Sequence, residues 1–195
     1  MIVTTMQLKN IYRNYVDPAG KISRDVKMGK LFPLIRGLYE TDPDTHGSKL
    51  AQAIYGPSYL SFDYILYSHG LIPEAMYNTF TCATYNKNRT KKHTNRFGTF
   101  VYRDVPQAVF KLGVMVYLDG GYSYQAAIPE KALCDKLYSL SPTKNQSSFR
   151  ELLFDDLRID EEEFYLLNKE HLLMLAPLYN STNLYYLEEM VKEGK

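Results

Sequence analysis

At 195 residues, with 45% apolar and 23% charged side chains, the chain is long enough to bury one sizeable core and too apolar for large-scale disorder. Its net charge of +1 excludes little, because the charge is unevenly placed. Residues 1–40 carry seven Lys/Arg against three acids and residues 81–111 seven against one, whereas residues 151–195 carry four against eleven. Two basic segments fit either a polyanionic partner or two solvated faces, and charge alone leaves both readings open. Cys82 and Cys134 stand far apart, and the opening "MIVTTMQLKN" lacks the basic-then-apolar pattern of a secretory leader. No run of about 18 apolar residues occurs, so no membrane span is expected. A reducing cytoplasm is the expected setting.

Leu8, Ile11, Tyr12 and Tyr15 recur at helical spacing, which predicts a helix over 4–16. Asp17-Pro18-Ala19-Gly20 reads as a break. A second helix is predicted over 21–30, where Ile22 and Val26 share a face and Gly29 loosens the end. Lys21, Arg24, Lys27 and Lys30 recur every third residue around its opposite half. "LFPLIRGLYE" (31–40) reads as a hairpin turning at Arg36-Gly37, with Pro33 demoting its strand to an edge. "TDPDTHGS" (41–48) is rich in turn formers, and a domain boundary is placed near residue 44.

Beyond it, 49–55 predicts a short helix stopped by Gly56-Pro57, and Ser61 an N-cap for a helix through His69. "TFTCATY" and "GTFVYRDV" predict strands, with the basic run "NKNRTKKHTN" as the loop between them. "VMVYLDGGYSYQAAI" has Asp119-Gly120-Gly121 at a hairpin turn. Pro129 opens the helix "PEKALCDKLYSL", and the chain from residue 147 onward reads as helical. The expected class is α+β: two helices and a hairpin, then a mixed α/β domain with a helical C-terminus.

The four histidines (His46, His69, His93, His171) and both cysteines fall in no metal-ligand spacing, so neither a metal nor a cofactor is expected. No GxSxG elbow and no phosphate-cradling glycine loop is present. Asp25 with Lys27, Glu193 with Lys195, and Glu130 with Asp135 are the nearest approaches to the carboxylate clusters of a Mg²⁺-dependent nuclease. None is complete locally, and a metal-dependent nuclease assembled from distant segments stays as an alternative, as does a pure interaction protein.

The strongest local signal is for nucleic acid. Lys21, Arg24, Lys27 and Lys30 on a helix, followed by Arg36 at a hairpin tip, suit phosphate contacts beside a DNA groove. Lys87, Arg89, Lys91, Lys92 and Arg96 form a second basic run for nucleic acid or a partner. Phe97 and Tyr102 near it are candidates for stacking on bases.

"KMGKLFPLIRGLYE" (27–40) resembles the helix-to-wing segment of the winged-helix domain that opens AbiEi-family antitoxins of bacterial toxin–antitoxin systems. "YGPSYLSFDYILYSHGLIPEAMY" (55–77), "FGTFVYRDVP" (97–106) and "AAIPEKALCDKLY" (126–138) are similar to later segments of that family, in the same order. The resemblance implies an abbreviated N-terminal winged helix-turn-helix over 1–44 and an antitoxin domain over 45–195. It implies a cytoplasmic type IV antitoxin that represses its own operon by binding promoter DNA, without enzymatic activity. Such an antitoxin counters a nucleotidyltransferase-like toxin with no stable complex between the two, and binding to promoter repeats implies a dimer on DNA. Lys27, Lys30 and Arg36 fall in the segment that faces DNA in the family, with Gly37 at the wing turn and Tyr39 packing the returning strand. Tyr59, Leu60, Phe62 and Leu66 are expected in the domain core. Only about 30 residues precede Leu31, so the middle of the three helices of a winged helix is expected to be reduced or lost.

Overall fold

The computed structural model describes residues 1–74 and 76–194. Of the segments singled out above, Ala75 within 55–77 and Lys195 beside Glu193 lie outside the described residues. The chain begins with a strand, β1 (Ile2–Thr4), and the helix predicted over 4–16 is only α1 (Thr5–Ile11). Thr4 sets that start: its hydroxyl accepts from Gln7 N at 3.2 Å, and Gln7 Oε1 accepts from Thr4 N at 2.8 Å, a reciprocal cap. Of the expected apolar face only Leu8 is buried, while Ile11 and Tyr15 are exposed. The expected break at 17–20 is a helix start instead. Asp17 Oδ1 accepts from Gly20 N at 2.8 Å and Pro18 takes the first helical position of α2 (Pro18–Lys27).

The hairpin stands as expected: β2 (Phe32–Ile35) and β3 (Leu38–Glu40) turn at Arg36-Gly37, where Gly37 has φ +84°, a conformation that costs glycine little. The sheet order β1-β3-β2 is antiparallel throughout and leaves β2, with Pro33, at an edge. Val3, Leu8, Ile22 and Leu31 form a small core here, with Tyr12, Val26 and Tyr39 packed on it.

The second part is built on a six-stranded mixed sheet. In chain order it contains α3 (Ala51–Ile54), β4 (Tyr59–Leu60), α4 (Asp63–Ser68), β5 (Thr79–Thr84), β6 (Lys91–Asn95) and β7 (Gly98–Asp104). The hairpin β8 (Val114–Asp119) and β9 (Tyr122–Ala127) leads into α5 (Pro129–Tyr138). The sheet order is β6-β7-β5-β4-β9-β8, with β5/β7 and β4/β9 parallel and the other pairs antiparallel. The C-terminal third is helical: α6 (Gln146–Glu151) running into a π turn, α7 (Glu161–Leu166), α8 (Lys169–Leu175) and α9 (Thr182–Glu193). The fold class is α+β. Buried along nearly all its length, α5 packs against β9, α4, α8 and α9, so the main core lies between the sheet and the C-terminal helices. Tyr59, Leu60, Phe62 and Leu66 all belong to that core.

Three expectations are corrected. The basic run is not all loop, because Lys91–Asn95 forms β6, laddered antiparallel to β7 from Lys91↔Tyr102 to Asn95↔Gly98. Ser61 does not cap α4; Phe62 stands before that helix with φ +55°, and the Ser61 hydroxyl donates instead to Asp135. Phe97 and Tyr102 are buried, with the Tyr102 hydroxyl donating to Ala51 O at 2.6 Å, so neither is available to stack on a base. Among the described residues no helix is long and apolar enough to cross a membrane.

The first forty residues are fastened to the second part at two places. Phe32 and Leu34 reach into the main core, the Arg96 guanidinium lies 4.1 Å from the Phe32 ring centre, and Asn95 Nδ2 donates to Leu34 O at 3.2 Å. At the end of β3, Glu40 is fully buried, accepts from the Tyr122 hydroxyl at 2.9 Å, and pairs with the Met1 amino group.

Candidate nucleic-acid interface

The helix α2 buries Ile22 against the small core and turns Ser23, Arg24 and Lys27 to solvent. Gly29, at φ +66°, ends the turn that follows, and Lys30 is exposed just ahead of β2. Arg24, Lys27, Lys30 and Arg36 carry no ion pair among the described residues and are exposed. Lys30 precedes and Arg36 follows the four residues of β2, so the two cations flank one short strand, no more than about 20 Å apart along it.

The helix expected over 21–30 ends at Lys27, which leaves Lys30 in the turn after it. Lys21 behaves differently from Arg24, Lys27 and Lys30. It forms an ion pair with Asp25, one turn on, and its ammonium sits 5.2 Å from the Tyr12 ring centre and 5.7 Å from that of Tyr15. Asp25 is buried, and the Lys21 ammonium holds its carboxyl below the usual carboxylate range. Breaking this pair to reach a phosphate would strand a buried charge. Lys21 therefore supports the helix from inside, and the outward row is Arg24, Lys27 and Lys30.

The second basic run divides in the same way. The Lys87 ammonium lies 5.3 Å from the Tyr55 ring centre, and the backbone N–H groups of Lys87 and Asn88 donate to Asp104 Oδ2 at 2.7 and 2.6 Å. Arg96 is held over Phe32 and Phe97. Arg89 and Lys92 project into solvent, Lys91 is half-buried, and none of the three is ion-paired among the described residues. β2 and β6 lie side by side, so Arg96 marks the point where the two basic segments meet. Between α5 and the segment 59–61, which is β4 and the residue after it, lies a polar cluster that sequence reasoning missed. Lys131 and Asp135, both fully buried, form an ion pair at 2.8 Å. Asp135 also accepts from the hydroxyls of Tyr59 at 2.9 Å, Ser61 at 2.7 Å and Tyr179 at 2.6 Å, while Lys131 donates to Tyr179. Burial, followed by the Asp135 carboxylate, pushes the Tyr59 and Tyr179 hydroxyls well above the usual phenol range. These hydroxyls stay protonated, and every oxygen of Asp135 has a donor. The cluster is a closed structural tie between β4, α5 and the segment after α8. The i, i+4 spacing of Lys131 and Asp135 was the one local signal for it.

Cys82 and Cys134 are buried, and burial pushes both thiols up, away from nucleophilic use. Among the described residues no three His, Cys, Asp or Glu side chains converge as a metal site. The two basic segments offer exposed cations of the kind that contact phosphates. No protein-family model matches the chain, and no curated protein matches it.

Proposed function

We propose that the chain is a DNA-binding autoregulator of the AbiEi antitoxin type, cytoplasmic, with an abbreviated winged helix over 1–44. In this reading α1 and α2 are the helix pair, α2 is presented to the groove, and β2–β3 is the wing. In the same reading the pair stands between β1 and the wing, so the helix missing from a three-helix arrangement is taken to be the first rather than the middle one. The remaining domain counters a nucleotidyltransferase-like toxin without a stable complex.

The observation that carries DNA binding is a set of exposed cations with no ion pair among the described residues: Arg24 and Lys27 on a helix whose other face is buried, and Lys30 in the turn after it. A hairpin with Arg36 at its turn follows directly. Because these cations have no ion pair among the described residues, contacting phosphate breaks none there. Lys21 has that cost and drops out of the contact set. Arg89 and Lys92, exposed and without an ion pair among the described residues, are a second set of candidate phosphate contacts in this reading.

The test is fluorescence anisotropy of the full chain on DNA from upstream of its own gene, over a salt series. Each phosphate contact contributes about 0.9 to the slope of log K against log salt. Lys27→Ala with Arg36→Ala should flatten that slope by about 1.8 and weaken binding, while Lys21→Met leaves the slope unchanged. A full chain that binds its upstream DNA no better than scrambled DNA, or a slope indifferent to Lys27 and Arg36, refutes the reading.

A further inference from the structure

A sheet edge presents unpaired N–H and C=O groups, and natural proteins blunt such edges with proline, charge or cover. Two edges of this molecule follow that rule. β2 carries Pro33, β6 carries Lys91 and Lys92, and the two lie against each other. β8, at the far end of the six-stranded sheet, does not follow it. It has neither proline nor charge before its last residue, and Met115, Val116, Tyr117 and Leu118 are 52%, 60%, 43% and 82% exposed. These four residues alternate between the two faces of the strand, so the edge is apolar on both sides. The turn Gly120-Gly121 joins paired Asp119 and Tyr122, and residues flanking a two-residue turn exchange hydrogen bonds with each other. Counting back by twos leaves the backbone groups of Leu118, Val116 and Val114 directed outward from the sheet.

We propose that β8 is a dimerisation edge through which two copies of this chain pair antiparallel, about a twofold axis, into one continuous sheet. The charges at its two ends identify the second copy as the occupant. Exposed Lys111 lies just ahead of the strand with no ion pair among the described residues, and Asp119, 59% exposed, closes it. Antiparallel pairing brings Lys111 of each copy to Asp119 of the other, and the twofold axis makes that contact twice. Parallel pairing sets like charges together. Asp119 already meets Lys49 at 2.8 Å, and its exposure leaves room for a second cation. The four apolar side chains and the strand backbone amount to roughly 1,000 Å² over two copies, at the lower bound of specific interfaces. The dimer is therefore reversible, and it stands independently of any DNA binding.

Sedimentation equilibrium of the full chain over a wide concentration range tests this. The expected result is a monomer–dimer equilibrium with Kd on the order of 1–100 µM, weakened about tenfold or more by Leu118→Lys. Lys111→Glu and Asp119→Lys should each weaken it as well, and an equimolar mixture of those two variants should restore it, since each then offers the other an opposite charge. Leu118 and Lys111 are exposed and have no ion pair among the described residues, so circular dichroism and thermal melts of those two variants should match the wild type. Asp119→Lys also loses its Lys49 pair and is read against Asp119→Asn, which loses that pair without adding a cation. A chain that stays monomeric at the highest concentration overturns the proposal. So does a dimer that Leu118→Lys leaves intact, or a mixture that fails to recover after both single variants have lost affinity.

Discussion

Replacing Lys131 by methionine removes a charge from the interior while keeping the length of the side chain. Lys131 and Asp135 are both fully buried, 2.8 Å apart. Without the ammonium, the Asp135 carboxylate keeps three hydroxyl donors, from Tyr59, Ser61 and Tyr179, but has no countercharge. Breaking a buried ion pair by deleting one partner costs about 3–5 kcal/mol. The three remaining charge-assisted hydrogen bonds hold the loss near the lower end, about 3 kcal/mol. A chain of this length loses about 2–4 °C of Tm per kcal/mol, so Tm should fall by roughly 6–12 °C. That is a large part of the roughly 5–15 kcal/mol that holds a domain folded. The informative comparison is the double variant Lys131→Met/Asp135→Leu. An isolated buried pair replaced by apolar residues often loses nothing. Here the three hydroxyls lose their common acceptor, at about 1–3 kcal/mol each, so the double variant should be no more stable than the single. Urea unfolding with unchanged m-values, and scanning calorimetry, measure both. A Lys131→Met protein within about 1 kcal/mol of wild type, or a double variant that recovers wild-type stability, refutes the assignment of Asp135 as the hub of a four-donor network.

His93 lies on β6 with Nε2 buried and without a hydrogen-bond partner among the described residues, and burial together with Lys91 lowers its pKa from the usual 6.5. A depressed imidazole contributes stability that is present above pH 6.5 and lost as pH falls through the folded value, so wild-type Tm should drop between pH 7 and 5 more than that of His93→Gln. Equal slopes in thermal melts across that range would contradict it. At Gly47 an added Cβ would stand 2.2 Å from Phe80 Cε2 and 2.8 Å from the backbone oxygen of Phe97. Gly47→Ala should therefore destabilise by about 1–3 kcal/mol in urea unfolding, and a neutral result would mean that the turn yields more readily than this packing implies.

Elements set by local chemistry were legible in the chain. The turns at Arg36-Gly37 and Gly120-Gly121 and the proline that opens α5 announce themselves within a few residues, and each stands where expected. Elements that exist only through a distant partner were not. β1 and β4 span three and two residues, too short for any periodicity, and each is a strand because β3, or β5 and β9, supply its ladder. "KKHTN" has little strand character of its own, and pairing with β7 overrides that composition. Ser61 looked like a helix cap because its true partner, Asp135, lies 74 positions away. On α2 the chain held a distinction that its charge rhythm hid. Lys21 and Asp25 stand at the i, i+4 spacing of an ion pair, and that pairing separates Lys21 from Arg24, Lys27 and Lys30 despite their common three-residue rhythm.

The hairpin β2–β3 joins the two parts of the molecule physically. Leu31 closes the small core under α2, and Phe32 and Leu34, immediately after it, enter the main core. A cluster of four buried residues is too small to hold forty residues folded alone, so the fold of the first part depends on that sharing and on the buried Glu40 under Tyr122. The outward cations then sit on elements positioned by the second part: Arg36 leaves a strand whose inner side chains are core, and Arg96 from the second part lies on Phe32. In the proposed reading, DNA held at α2 and Arg36 loads a strand that is also a wall of the antitoxin domain. Repression and neutralisation would then share one folding unit rather than two modules joined by a linker. Four exposed residues follow the hairpin, and Thr45, Gly47 and Ser48 just beyond them are buried, so the connection between the two parts is anchored within a few residues.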